Sequence, residues 1–294
     1  MDHGERAPLI GDVDFRDLFD LEPHGPDTYV GRVAYYPWGK RLFGGQVVAQ
    51  ALRAAIHTVD PERVAHSFHS YFIRPGSPNE PIRFEVERLR DGRSFTTRQV
   101  VARQSGGAIL NASVSFQVPE QHEADVTLAG LPAGVPDPTT SGLVDQSWGD
   151  LLDRRAVDLP DGGVGCWIRL LADLGDDPVL HLCGLTFMSD AAPHRAGRSS
   201  HPEYTNDPSD RQRFLGASLD HSLWFHRPTR ADEWHWFDTH SHGLAGGRGL
   251  VTGDVLTIDG RHAATMAQQI LLRKNRNVTH DDLTPDRPTS DDAT

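Results

Sequence analysis

A short motif occurs twice in this chain, and the repetition constrains its fold more than any other feature. His69-Ser70-Tyr71-Phe72-Ile73-Arg74-Pro75 is answered by His221-Ser222-Leu223-Trp224-Phe225-His226-Arg227-Pro228, with one residue inserted. Each copy is followed by an alternating stretch, a glycine-containing turn and a strand ending in glutamine, Ala112 to Gln117 in one case and Ala264 to Gln269 in the other. Two matches in the same order at similar spacing indicate an internal duplication. At 294 residues the chain is also long enough for one core to divide into two. The segment Glu120 to Gly142 holds Pro132, Pro136 and Pro138 and almost no apolar periodicity, which predicts a linker or long surface crossing. From Lys274 onward the sequence is polar, acidic and punctuated by proline, and disorder is expected. The predicted units are therefore 10–118 and 143–273, joined by 119–142 and followed by a tail, 274–294.

Within the first unit, Val47, Val48, Ala51, Leu52, Ala55 and Ile56 recur at three- and four-residue steps, so a long helix with one broad apolar face follows Phe43-Gly44-Gly45. Strand-like segments surround it: His66 to Ile73, Ile82 to Leu89, Thr96 to Gln104 and Ile109 to Val118, each bounded by turn residues. The second unit repeats this order with a helix over Pro178 to Ala192 and strands at Cys166 to Leu171, Ser218 to His226, Trp234 to Gly243, Gly249 to Ile258 and Arg261 to Arg273. One long helix with consecutive strands on short turns predicts an α+β fold in which each helix lies across a curved antiparallel sheet.

Composition excludes several classes. The formal charge of −12 argues against general nucleic-acid binding, which needs a net basic face. An anionic small ligand held by arginines stays open, because Lys40 and Lys274 are the only lysines among 29 basic residues. Two cysteines, Cys166 and Cys183, supply neither a disulfide framework nor four zinc thiolates. No uncharged apolar run reaches the ~18 residues of a membrane helix, and the first residues lack the basic-then-apolar order of a signal peptide. The expectation is a soluble cytoplasmic protein of a reducing compartment, with no membrane span.

Ser218, Asp220 and His221 lie within four residues, but triad members are assembled by the fold, and strand alternation puts Ser218 and Asp220 on one face and His221 on the other. A local serine-hydrolase triad is not expected. His235, His240 and His242 lack the helix or cysteine pair that metal sites carry, so no metal is expected. Gly246-Gly247 reads as a turn. Gly44-Gly45 suits close backbone approach at a helix N-terminus, whose N–H groups can face a carbonyl oxygen or an anion.

Three segments carry more than class information: Leu42 to Ala51, His66 to Gly76 and Ala217 to Pro228 resemble the acyl-CoA thioesterase II family. The resemblance covers roughly residues 10 to 273. It implies a double hotdog fold and hydrolysis of fatty acyl-CoA to free acid and CoA, with no cofactor. It also implies that an aspartate, a threonine and a glutamine of the second unit hold a water; these map to Asp190, to Ser218 in place of the threonine, and to Gln268. The serine keeps the hydroxyl and loses the β-branching that fixes a threonine rotamer.

The residue types fit that chemistry. Asp190 can take a proton from water, work worth about 10²- to 10⁴-fold. Ser218 and Gln268 can position the water, and backbone N–H groups near Asp177 to Leu180, at the start of the second helix, are candidate oxyanion donors. Gly44, Gly45 and Gln46, with Arg227 and Arg248 for the nucleotide phosphates, are the candidate substrate contacts. Two other readings stand beside this one. Enoyl-CoA hydration would need an Asp/His pair, for which Asp190 and His194 have helical spacing but Pro193 intervenes; a non-catalytic acyl-CoA binder would release no thiol. Hotdog sheets with exposed edges also suggest a homo-oligomer.

Overall fold

The computed structural model describes residues 10, 13–36, 41–120, 124–140, 143–144, 148, 150–159, 164–205 and 210–275. In chain order its elements are β1 (Glu22–Pro23), β2 (Thr28–Gly31), α1 (Gly44–Ile56), β3 (Val64–Phe72), β4 (Ile82–Asp91), β5 (Phe95–Gln104), β6 (Gly107–Gln117), β7 (Leu143–Val144), β8 (Leu152–Asp158), β9 (Val164–Leu170), α2 (Pro178–Ser189), α3 (Pro193–Ser199), α4 (Asp210–Arg213), β10 (Phe214–Ser218), β11 (Asp220–Phe225), β12 (His235–Ala245), β13 (Arg248–Thr257) and β14 (His262–Lys274). A 3-10 turn spans Phe15–Leu18.

Among the described residues all strands join one antiparallel sheet in the order β1-β2-β4-β5-β6-β3-β11-β14-β13-β12-β9-β8-β7, with β10 also on β14. The first half of the chain makes one side and the second half the other, and β3 against β11 is the seam. There the two copies of the repeated motif pair with each other: Ser70 lies opposite His221 and His69 opposite Ser222. Reciprocal pairing of this kind is what a two-fold interface produces between identical partners. The sheet ends on the two-residue strands β1 and β7, so the long strands are interior and edge-to-edge joining takes place inside the chain.

Helix α1 lies against strands β2 to β6 on one side and α2 on the other. Its predicted apolar face is buried, but so are Gln46 and Gln50, because the helix is enclosed rather than half solvated. One apolar cluster runs from Ile10 through Phe43, Phe187 and Met188 to Met266, so residues of both predicted units share it. A smaller cluster around Trp167, Trp234 and Trp236 is covered by the proline-rich crossing: Ala129, Leu131 and Val135 pack on it, and Trp167 Nε1 donates to the Pro136 carbonyl (2.9 Å).

Several boundaries differ from the sequence expectation. The second helix stops at Ser189 instead of reaching Ala192, because Pro193 has no N–H and opens a separate helix, α3. Strand β8 was not expected: its inward position 154 is an arginine, which interrupts the apolar alternation while Arg154 Nε donates to the Ala191 carbonyl (3.2 Å). Lys274, expected to open a disordered tail, is instead the last residue of β14, where it pairs with Phe214; residues 276–294 lie outside the described ones. Gly246 and Gly247 both have positive φ (57° and 74°) and make the two-residue turn between β12 and β13, as their sequence suggests.

Candidate active site

Asp190 is the residue at which α2 ends, Ser218 closes β10, and Gln268 sits midway along β14. The fold brings all three together. Ser218 Oγ donates to Asp190 Oδ1 (2.8 Å), and Gln268 Nε2 donates to the same oxygen (2.9 Å) and to Ser218 Oγ (2.7 Å). Asp190 is 3% exposed and Gln268 fully buried. Burial raises the Asp190 pKa to about 6, against the lowering effect of the hydrogen bonds from Ser218, Gln268 and the Gly45 N–H.

A bulge aims these side chains. Ser218 lies opposite Ile270 and Ser222 opposite Ala267, so four steps on one strand face three on the other. The extra residue is held by the Leu219 N–H donating to the Gln269 carbonyl (2.8 Å) and by Asp220 Oδ1 accepting the Gln269 N–H (2.7 Å). Strict alternation, assumed in the sequence reading, would put His221 on the face opposite Ser218. Instead both reach the Gln268 carboxamide, with His221 Nδ1 2.5 Å from Oε1. His221 Nε2 lies 2.7 Å from Ser189 Oγ, and the imidazole is fully buried. His194 Nε2 lies 3.2 Å from Ser218 Oγ, and both side chains are half-buried. Burial, with Arg198 and Arg154 nearby, holds the His194 pKa well below the usual imidazole range. The sequence offers His194 only for the hydratase reading, with Pro193 against a helix face shared with Asp190; a second helix starting at that proline brings it to Ser218. His221, set aside as a triad member, and Ser189, which no motif singles out, join the site through the Gln268 carboxamide.

The first half of the chain contributes the start of α1. A methyl group on Gly44 would stand 2.6 Å from Asp190 Oδ2, and one on Gly45 would stand 2.4 Å from the Phe187 carbonyl oxygen. Glycine therefore permits the helix N-terminus, with its partial positive charge, to approach the carboxylate directly. The start of α2 is elsewhere: Asp177 caps it by accepting the Val179 N–H (2.9 Å), and twelve helical residues put it about 18 Å from Asp190. The oxyanion donors expected near Asp177 to Leu180 are thus at the wrong end of that helix.

Gln46, expected to touch substrate, is fully buried; its Oε1 accepts from Tyr36 Oη (2.9 Å) and its Nε2 donates to the Arg32 carbonyl (3.0 Å), which fastens the 32–36 segment to α1. Arg227 donates to the His262 carbonyl (3.1 Å) and to Asp125 of the proline-rich crossing. Arg248 lies beside the Gly246-Gly247 turn, exposed, opposite Leu271, one strand position beyond the Ile270 that faces Ser218 and three beyond Gln268. Among the described residues no three His, Cys, Asp or Glu side chains are placed to hold a metal ion. His235 is occupied by Thr229 Oγ1 (2.7 Å) and the Glu233 carbonyl (2.9 Å), and His242 by Thr252 Oγ1 (2.8 Å).

Helices laid on a broad antiparallel sheet, with a carboxylate where one of them ends, define a hotdog-class protein. The fold is shared with a hot dog protein from Alicyclobacillus acidocaldarius at a TM-score of 0.67 and 18% identity, covering 88% of this chain and 97% of that one. Residues 34–117 match the model of the acyl-CoA thioesterase N-terminal domain and 119–272 that of the C-terminal domain, and the chain belongs to this family of thioester hydrolases. It is 33% identical over 318 aligned positions to mouse acyl-coenzyme A thioesterase 8, spanning 96% of this chain and 97% of the relative. The crystal structure of acyl-CoA thioesterase II TesB2 from Mycobacterium marinum superposes at a TM-score of 0.76 with 34% identity, covering 91% and 100% of the two chains. Among the described residues no helix is long and apolar enough to cross a membrane.

Proposed function

We propose that this chain hydrolyses fatty acyl-CoA thioesters to the free acid and CoA, using a water directed by Asp190, Ser218 and Gln268. The observation that carries the reading is the convergence of a hydroxyl and a carboxamide on Asp190 Oδ1 from β10 and β14. A water bound among these groups is deprotonated by Asp190 as its oxygen attacks the thioester carbonyl carbon. The carbonyl π electrons move onto oxygen, and the first turn of α1, Gly44-Gly45, whose N-terminus lies against Asp190, receives that charge. Collapse of the tetrahedral species re-forms the carbonyl and breaks the C–S bond. CoA leaves as thiolate and takes the proton from Asp190, which restores the base. Raising the Asp190 pKa toward neutrality strengthens it for this task relative to an ordinary carboxylate.

Duplication divides the labour. The second unit supplies the three polar groups and the first supplies the glycine turn, so neither makes the site alone. Exposed Arg248 is the better placed of the two arginines for the nucleotide phosphates, because Arg227 already serves Asp125 and the His262 carbonyl.

The test is thiol release from a panel of acyl-CoAs by wild type, Asp190→Asn and Gln268→Ala. Loss of about 10²-fold or more in kcat is expected in the variants, the range for a removed base or a removed charge-stabilising donor. Folded variants with wild-type rates would remove these residues from the mechanism. Crotonyl-CoA hydration without thiol release would favour the hydratase reading.

A further inference from the structure

The side chains around Asp190 form a closed circuit, and two of its members take no part in the hydrolysis just described. It runs from Ser189 to His221, from His221 to Gln268, and from Gln268 to Ser218 and Asp190, where the backbone returns it to Ser189. We propose that His221, backed by Ser189, is a positioning residue that locks the Gln268 carboxamide with its NH2 group toward Asp190 and Ser218. This inference rests on the thioesterase reading of the site.

Proton counting gives each link a direction. Gln268 Nε2 has two hydrogens, and both acceptors within reach, Asp190 Oδ1 and Ser218 Oγ, use them. Gln268 Oε1 can only accept, so His221 Nδ1 carries a proton. Burial holds the His221 pKa down at about 4, so the ring is neutral and its Nε2 bears a lone pair. Ser189 Oγ donates to the Thr186 carbonyl (2.7 Å) and lies 2.7 Å from His221 Nε2, so its single hydroxyl proton faces two acceptors. The reverse amide orientation would aim Oε1 at the Asp190 carboxylate and Nε2 at a protonated ring nitrogen. The contact with the carboxylate would be repulsive, with no water to relieve it in a buried site, and the ring would have to move its proton to Nε2. A ring with no exposed atoms is an effective device for this, because its orientation is fixed by packing as well as by its two hydrogen bonds.

The experiment is a double-mutant cycle on acyl-CoA hydrolysis, with His221→Leu and His221→Asn each made in the wild-type and Gln268→Ala backgrounds. His221→Leu is expected to lower kcat by about 10- to 100-fold with KM nearly unchanged, a loss below that of removing the base itself. Asn is expected to restore most of it, since its Nδ2 can replace the ring Nδ1–H. In the Gln268→Ala background His221→Leu should have no further effect, because there is no amide left to orient. Equal losses in both backgrounds, an asparagine no better than leucine, or a fully active Gln268→Ala would each overturn the proposal. Should the His221 variants fail to fold, Ser189→Ala tests the same circuit more mildly, and a several-fold fall confined to kcat is expected. Nitrogen NMR of wild-type protein reads the tautomer without reference to activity: His221 protonated on Nδ1 supports the lock, and protonation on Nε2 refutes it. A wild type that releases no thiol but shows the Nδ1–H tautomer would refute the thioesterase reading and leave the lock standing as structure.

Discussion

Gly44 and Asp190, 146 positions apart in the sequence, meet so closely that a methyl group on the glycine would lie 2.6 Å from carboxylate Oδ2. The contact joins the helix of the first unit to the candidate base of the second. Its consequence is that small changes at a glycine should register in chemistry done by a carboxylate. Gly44→Ala is expected to displace that carboxylate and cost about 10- to 100-fold in kcat, since misplacement of roughly 1 Å can have effects of that size. Gly45→Ala meets a backbone carbonyl instead, and overpacking of this kind typically costs about 1–3 kcal/mol of stability. Steady-state kinetics and urea unfolding of the two variants separate these effects; an unchanged kcat in Gly44→Ala would detach the glycine turn from the reaction.

The pH dependence follows from Asp190. The group must be ionised to act as a base, and burial raises its pKa to about 6. Activity should therefore rise from pH 5 to pH 7 and level off above, with kcat/KM on acyl-CoA reporting an apparent pKa near 6 for the free enzyme. An acid limb near 4, the ordinary carboxylate range, would show that some other group is titrating.

Stability should run the opposite way. A carboxyl whose folded pKa exceeds its unfolded value of 3.8 contributes fully below that value and loses its contribution as pH rises through about 6. Relative to Asp190→Asn, which does not titrate, the wild type should lose on the order of 3 kcal/mol between pH 4 and pH 8. Thermal unfolding of both proteins across that range measures the difference; a constant gap would mean that Asp190 titrates alike in the folded and unfolded chain.

Ser218→Thr tests the position at which resemblance to the family calls for threonine. The hydroxyl that donates to Asp190 Oδ1 is retained, so kcat should stay within about threefold of wild type, with fewer side-chain rotamers to restrain. Ser218→Ala deletes the donor and leaves Gln268 Nε2 and His194 Nε2 without that partner. A loss of about 10-fold or more in kcat is expected, in line with removal of a positioned hydrogen bond from a buried site.

The two arginines should separate. Arg248→Ala is expected to raise KM for acyl-CoA several-fold at constant kcat, as loss of a phosphate contact would. Arg227→Ala should leave KM alone and weaken the hold of the proline-rich crossing, read as faster proteolysis around Asp125. A raised KM in Arg227→Ala and not in Arg248→Ala would reverse the assignment.

Much of the fold was legible because hydrophobic period is a local property. The steps of Val47, Val48, Ala51 and Leu52 announced α1, and alternation announced β4, β5 and β6 to within a few residues. Strand β8 was hidden by an inward arginine that the tertiary structure satisfies with a carbonyl from the end of α2. The candidate site was legible only through resemblance: nothing about Asp190, Ser218 or Gln268 taken singly distinguishes a functional group from a cap, a strand end or a core amide. Gln46 misled for the same reason, since a glutamine beside a glycine pair reads alike whether it faces a ligand or a buried tyrosine.

By itself, then, the sequence determined the repeat, the periods of its helices and strands, the glycine pair that lets a helix start approach a neighbour, and the identity of the polar groups. What the tertiary structure decided is which of those groups meet. Side-chain direction on a strand is set by counting in twos, and a single extra residue at Leu219 reverses the count, so that Ser218 and His221 turn to the same amide. The reversal is fixed by backbone and Asp220 hydrogen bonds to Gln269, on a strand some fifty residues away, and no local pattern encodes it.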